Sequence, residues 1–293
     1  MPPTTQRSDL ILPDILAEEV MKGFTGNLLM SGTGAIVMNP GLQATVEDVG
    51  NTVTVPYFED IGEAEEVPEG AAGTIDKLTQ SSETATVVRL FKGISMTRLA
   101  RIAKSSGRDI YEVASEMIRM AFVRKIDSIA LARALARAAA GSMEYDGTGA
   151  AVSTTAIVET LKLFGEDLDN DSALAVWGMN PTVYWGAASL ADTTGRTLFT
   201  PAQGERLARV GGVQVRMTGK EDMVVVGTPT TYKSPLIKQG AIAAWTTDMP
   251  VIDIERDPTA DVDMIIANMY AVVHAYSVMP GSTRPGVAVM KTR

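Results

Sequence analysis

Hydrophobic and polar positions alternate with distinct periods along the 293 residues. Thr52-Val53-Thr54-Val55-Pro56-Tyr57 has a period of two, which puts Val53, Val55 and Tyr57 on one face of a strand and the threonines on the other. Pro56 cannot donate to a ladder, so this strand lies at an edge or ends there. A return strand rich in threonine and valine is predicted over 83–97. Between them, 63–73 is polar, turn-prone and without hydrophobic period. So long a connection is unusual inside a compact domain. Residues 42–98 therefore read as a projecting two-stranded ribbon. An isolated ribbon is marginal in water, so it needs the surface of another molecule.

The period changes to three and four over 108–139. Ile110, Val113, Ala114, Met117, Ile118, Ala121, Ile129 and Ala130 make an apolar face, while Arg119, Arg124, Lys125, Arg133 and Arg137 fall elsewhere. Asp109 is placed to cap the start, and Gly141 follows the end. Some 30 residues at 1.5 Å each give a helix of roughly 45 Å. Its heptads are too irregular for a coiled coil, so it reads as a spine.

Residues 1–40 read as an extended arm with one amphipathic piece around 15–24, ordered mainly by neighbours. Helix and strand alternate over 143–249. Ser153-Thr154-Thr155 leads into a helix over 156–168, 173–177 is a buried strand, and Asn180-Pro181 opens another helix. Strands follow at 213–217 and 223–226, whereas 190–206 has no firm period and reads as a long loop. A hairpin is predicted over 250–279, turning at 257–261, and one more strand over 286–290. No internal repeat or low-complexity tract interrupts this order.

Composition narrows the chemistry. The chain has no cysteine, which removes disulfides, thiolate nucleophiles and cysteine zinc sites. Its one histidine, His274, excludes a multi-histidine metal site or a histidine acid–base pair within one chain. The formal charge of −9 gives no general affinity for nucleic acid unless the basic residues are segregated on one face. If the protein encloses DNA, geometric confinement does the work. No run of about 18 apolar residues suggests a membrane span, and the first residues lack the order of a secretion signal, so folding in a cytoplasm is expected.

Few motifs survive inspection. Asp167, Asp169 and Asp171 alternate as in a calcium loop, but Ser172 and Gly178 stand where glycine and a bidentate glutamate belong. Ser31-Gly32-Thr33-Gly34-Ala35 lacks the lysine of a phosphate loop, and no serine sits in a Gly-x-Ser-x-Gly elbow. His274 reads as a structural imidazole within a strand. Met117 and Met120 read as adaptable packing or ordinary core filling. The cluster Glu63, Glu65, Glu66 and Glu69 is either a solvated acidic loop or a docking tip for basic groups of a neighbour such as Arg119, Arg124 and Lys125.

The ordered set Gly50-Asn51-Thr52-Val53-Thr54-Val55-Pro56, Gly62-Glu63-Ala64, Glu69-Gly70, Asp76-Lys77-Leu78, Lys92-Gly93 and Arg124-Lys125-Ile126-Asp127, within the order of elements above, resembles the major capsid proteins of tailed bacteriophages, with the Hong-Kong-ninety-seven-type fold. The resemblance implies an α+β chain divided into an N-terminal arm (1–41), an extended loop (42–98), a peripheral domain of spine helix and long hairpin (99–142 and 250–280), and an inserted α/β axial domain (143–249 and 281–293). It implies that the extended loop lies over an adjacent subunit. The hairpin tip, with Asp257, Asp261 and Asp263, would approach local threefold axes, and 190–206 would face the fivefold and sixfold axes.

Implied partners are copies of the same chain in hexamers and pentamers, a portal, a decoration protein in some shells, and double-stranded DNA held without sequence-specific binding. The sequence begins with a short arm and shows no hundred-residue helical segment in front, so for a full-length chain scaffolding from a separate protein is expected. No cofactor, metal or membrane is implied, and the place of action is the virion capsid, assembled in the host cytoplasm. Some members join a ribbon lysine to a neighbour's asparagine, roles that would fall to Lys77 and Asn268. An encapsulin-like compartment shares the fold and remains an alternative. A soluble α/β enzyme is a remoter one, disfavoured by the missing cysteine, solitary histidine and absent phosphate loop.

Overall fold

The computed structural model describes residues 30, 33–40, 52–58, 66–68, 73–75, 77, 79–97, 110–165, 174–190, 209–246, 251–257, 261–279 and 284–293. The amphipathic piece around 15–24, the Asp109 cap, the Asp167–Asp169–Asp171 turn, Glu63, Glu65, Glu69 and the loop beyond residue 190 lie outside them.

In chain order the elements are β1 (Ile36–Pro40), β2 (Thr52–Phe58), β3 (Gln80–Thr86), β4 (Val88–Thr97), α1 (Ile110–Ala140), β5 (Glu144–Asp146), α2 (Thr154–Lys162), β6 (Leu174–Met179), α3 (Pro181–Ala188), β7 (Arg209–Val210), β8 (Val213–Met217), β9 (Val224–Val225), β10 (Thr231–Lys238), β11 (Ile242–Thr246), β12 (Val251–Asp257), β13 (Val262–Ala275) and β14 (Val287–Thr292). The caps follow from local chemistry. Ser153 Oγ accepts from the Ala156 amide at 3.2 Å, and Asn180 Oδ1 accepts from the Thr182 amide at 3.0 Å with Pro181 in the first turn.

Among the described residues the strands form three sheets. In the first, β13 is flanked by β4 on one side and by β12 and then β11 on the other, with β1 parallel to β11 at the far edge. The second has the order β5-β14-β10-β6-β8-β7, with β9 also on β10. The third is the ribbon, β2 antiparallel to β3. One apolar core joins the first two sheets, with α1 and α2 packed into it.

The sequence reading differs from this fold in several places. The return strand predicted over 83–97 is two strands. Residues 80–86 pair with β2, and after Val87 the chain enters the first sheet, pairing Val88–Thr97 with β13. The predicted α2 reaches 168, but the helix ends at Lys162 and continues as a short turn through Gly165. β10 and β11 carry no alternation because they are buried on both faces, and β10 has Pro235 in mid-strand. Gly178 on β6 lies against that ring: a Cβ there would stand 3.3 Å from Pro235 Cγ. β1 belongs to the read "arm", yet Ala35 and Ile36 are buried in the core.

Met117 departs from the expected core as well. It is 62% exposed, and Met120 is exposed too. The buried residues Ala114, Ile118, Phe122, Ile126, Ala130, Ala134 and Ala138 follow a strict four-residue row, joined by Val123, Leu131 and Leu135 on the next row. A four-residue row is inclined to the helix axis, so the buried face winds around α1 and leaves Met117 outside.

Candidate assembly surface

The ribbon is anchored at its root. Val53 and Val55 from β2 and Ala85 from β3 bury against Val272 of β13, with Val87, Trp245 and Tyr276 around them. The period-two pattern of β2 is what delivers both valines to that face while Thr52 and Thr54 stay exposed. Tyr57 meets Tyr276 edge-on at 6.2 Å between ring centres.

One carboxylate ties the root to two other elements. Glu83 on β3 accepts from Arg137 Nη2 of α1 at 2.8 Å through Oε2, and from the Ser277 amide at 3.0 Å through Oε1, which the Ser277 hydroxyl also contacts. Arg137 Nε donates to the Ala275 carbonyl at 2.9 Å. His274 Nε2 lies 2.9 Å from Glu83 Oε2, though not aligned for a hydrogen bond. Burial holds the imidazole below its ordinary pKa; Glu83 opposes this, and Arg137 and Arg133 add to it. The Tyr276 phenol is pushed up, first by burial and then by Glu83. Beside the cluster opens a cleft of about 230 Å³ lined by Thr84, Thr86, Arg133, Arg137 and His274.

Serine, glutamate and histidine meet here in an order that does not make a hydrolytic triad. The carboxylate stands between hydroxyl and imidazole, so the histidine is not placed as the base for the serine. The arrangement serves as an anchor. Sequence reasoning placed His274 in a strand but did not see Glu83, Arg137 and Ser277 converge, because 54 and 194 residues separate Glu83 from those two partners.

Beyond the root, the described part of the connection is bare. Glu66, Val67, Pro68, Gly73, Thr74, Ile75 and Lys77 are all exposed, Ile75 to 96%. A second bare surface is the face of β4, β13 and β12 turned away from the core. There Phe91, Asn268 and Val251 stand in one row, with Arg89 and Tyr270 beside them. Phe91 is 59% exposed and Val251 61%. Phe91 and Val251 thus flank the half-buried Asn268 from opposite sides.

The remaining residues singled out from the sequence fall as follows. Arg124 and Lys125 are exposed on α1 and make no ion pair among the described residues. Arg119 is half-buried and lies 3.8 Å from Glu116. Asp127, which follows them on α1, is buried 3.6 Å from Lys220 Nζ, and burial lowers the Lys220 pKa. At the hairpin end, Asp261 is exposed in the left-handed region at φ 52° and Asp257 is half-buried. Asp263 is only 5% exposed and lies 3.7 Å from Arg256 Nε of its own hairpin. The side-chain oxygen of Asn268 accepts from Arg89 Nη2 at 2.7 Å and Nε at 3.1 Å, and Lys77 is exposed.

No family model and no curated protein sequence matches this chain. Solved structures do match. A structure from Microbacterium phage Oxtober96 aligns with a TM-score of 0.63 at 12% identity, covering 88% of this chain and 90% of that one. The capsid of an empty GTA particle aligns at 0.63 and 14% identity, covering 90% of each. The capsid of Ralstonia phage GP4 aligns at 0.57 and 11% identity, covering 88% of this chain and 86% of that one. The chain thus shares the mixed α/β fold of phage capsid structures, as the resemblance implied.

Proposed function

We propose that this chain is the major shell subunit of a tailed-phage capsid, a structural protein and not an enzyme. The observation that carries the reading is the match to capsid structures over about nine-tenths of both chains. In this reading the ribbon is the extended loop, α1 is the spine, and β12 with β13 is the long hairpin of the peripheral domain. Residues 143–249 and 281–293 form the axial domain. Copies close into pentamers and hexamers because head-to-tail contacts that close make rings. Many modest interfaces then sum to a shell that encloses double-stranded DNA, assembled in the host cytoplasm with a separate scaffold and a portal.

The bare described part of the connection and the exposed Phe91 and Val251 support this reading, since both are surfaces that a second copy would cover. Negative-stain imaging of the purified chain, with nuclease treatment of its particles, tests it. Closed particles of uniform size that protect DNA are expected when the chain is expressed with its packaging partners. Soluble monomers under every assembly condition would refute it, and closed particles loaded with protein and no protected DNA would point to an encapsulin-like compartment.

A further inference from the structure

The cleft beside the ribbon root is bounded by β3, by the last turns of α1 and by the end of β13. Helical spacing builds its cationic wall. Arg133 and Arg137 stand four residues apart on α1, so both side chains leave the helix on one face. Ala136 and Ala140 line the same wall and reach no further than Cβ, which keeps the space open. The cleft measures about 230 Å³. Liquid water takes roughly 30 Å³ a molecule, so a small anion fits there with part of its hydration shell.

Charge around the cleft does not balance. The chain has 35 acidic and 26 basic residues, yet the described lining holds two arginines and no acid. Arg137 is fixed by two bonds, from Nη2 to Glu83 at 2.8 Å and from Nε to the Ala275 carbonyl at 2.9 Å. A guanidinium has further N–H groups, and those of Arg137 have no other partner among the described residues. Arg133 is exposed and makes no ion pair or hydrogen bond among the described residues. Glu83 thus offsets one guanidinium and leaves the other, and like charges one turn apart repel. His274, also in the lining, adds no charge near neutral pH: burial first, and then Arg137 and Arg133, hold its pKa down against the pull of Glu83.

We infer that this cleft is a binding site for a tetrahedral oxyanion of the phosphate class, held between the guanidiniums of Arg133 and Arg137. The planar fork of an arginine matches phosphate oxygens two at a time, and two forks on one helix face grip a single anion from adjacent sides. The volume favours a free phosphate or the end of a phosphate monoester over a phosphate inside a duplex, which carries sugar on both sides. Thr84 and Thr86 of β3 form the opposite wall, so a bound anion joins the ribbon root to α1 alongside Glu83. The inference stands on the cleft alone and holds whether or not the chain forms a shell.

Calorimetric titration of the purified chain with inorganic phosphate, at constant ionic strength balanced by chloride, tests the site. One phosphate per chain, saturating below about 10 mM, is expected of two charge-assisted forks. The thermal midpoint should rise with phosphate and not with chloride. Arg133→Gln removes one fork without touching the Glu83 anchor, and Ala136→Gln fills the cleft while both arginines stay. Each should weaken phosphate binding by about tenfold or more with the circular dichroism of the wild type, and Arg133→Lys, which keeps the charge and loses the fork, should fall between. A nucleoside monophosphate titrated in the same way separates the two sources: binding of either is the expected result, and the tighter one names the ligand. Absence of saturation by both, or equal affinity in the wild type and Arg133→Gln, would overturn the site. Tighter binding of a short DNA duplex than of either small anion, lost in Arg133→Gln, would overturn it too and assign the arginines to nucleic acid.

Discussion

Glu83 is the residue on which the ribbon root turns. Its two oxygens serve a guanidinium, an amide and a hydroxyl from two other elements, all partly shielded from water. Removing it leaves Arg137 without its counter-charge, so Glu83→Ala is expected to cost about 1–3 kcal/mol in urea unfolding. Glu66→Ala, on the exposed connection, should stay within about 0.5 kcal/mol. His274 adds a pH dependence. Its pKa is lower in the fold than the ordinary value of about 6.5 that it regains on unfolding. The folded state therefore binds the proton less readily. The stability tied to the neutral imidazole is complete above about pH 6.5 and is lost as pH falls from there through the folded-state value. The thermal midpoint of the wild type should fall over that interval more steeply than that of His274→Asn. Equal slopes would show that the imidazole does not feel its surroundings as described.

At the scale of the element, the end of α1 separates two roles that one glycine was expected to fill. The left-handed residue is Ser142, at φ 56°; its amide donates to Ala139, and the Met143 amide donates to Ala138, as in a Schellman cap. Gly141 is needed for a different reason, because a Cβ there would stand 2.6 Å from Pro285 Cγ. Ser142→Gly should stabilise the protein by about 1 kcal/mol through relief of the left-handed backbone. Gly141→Ala should destabilise it by about 1–3 kcal/mol through overpacking. Chemical denaturation of the pair separates the roles, and equal effects of one sign would contradict the assignment. The winding of the buried row on α1 belongs to the same scale. A helix face drawn straight from three- and four-residue steps includes Met117, whereas the packed face follows steps of four and omits it.

For the whole molecule, the decisive feature is the unequal coverage of its surfaces. β13 is covered on its core face by α1 and paired along both edges, and the ribbon root covers Val272 on its other face, while the described part of the connection between β2 and β3 stays bare. Local stability follows coverage. In the unassembled subunit, the amides of Glu66, Val67 and residues 73–75 are expected to exchange with solvent within seconds, while those of β13 persist for hours. In particles the first group should slow by at least tenfold. Unchanged exchange there after assembly would mean that the connection is not an interface.

Much of the architecture was legible in the periods of the chain. The alternation at 52–57, the long run of three- and four-residue steps, the capping signals Ser153 and Asn180-Pro181, and the paired strands of the 250–279 hairpin each carry local information, because helix and strand impose their own repeat on which side chains meet the core. β10 and β11 were not legible. Strands buried on both faces lose the polar half of the alternation, and Pro235 counts against a strand until Gly178 is seen to make room for it. The crossing of the chain from ribbon to sheet at Val87, the meeting of Glu83 with Arg137, Ser277 and His274, and the turning of Asp263 inward were decided by tertiary structure alone. Local sequence sets the period of each element, but which far-off element covers its face depends on packing across more than a hundred residues.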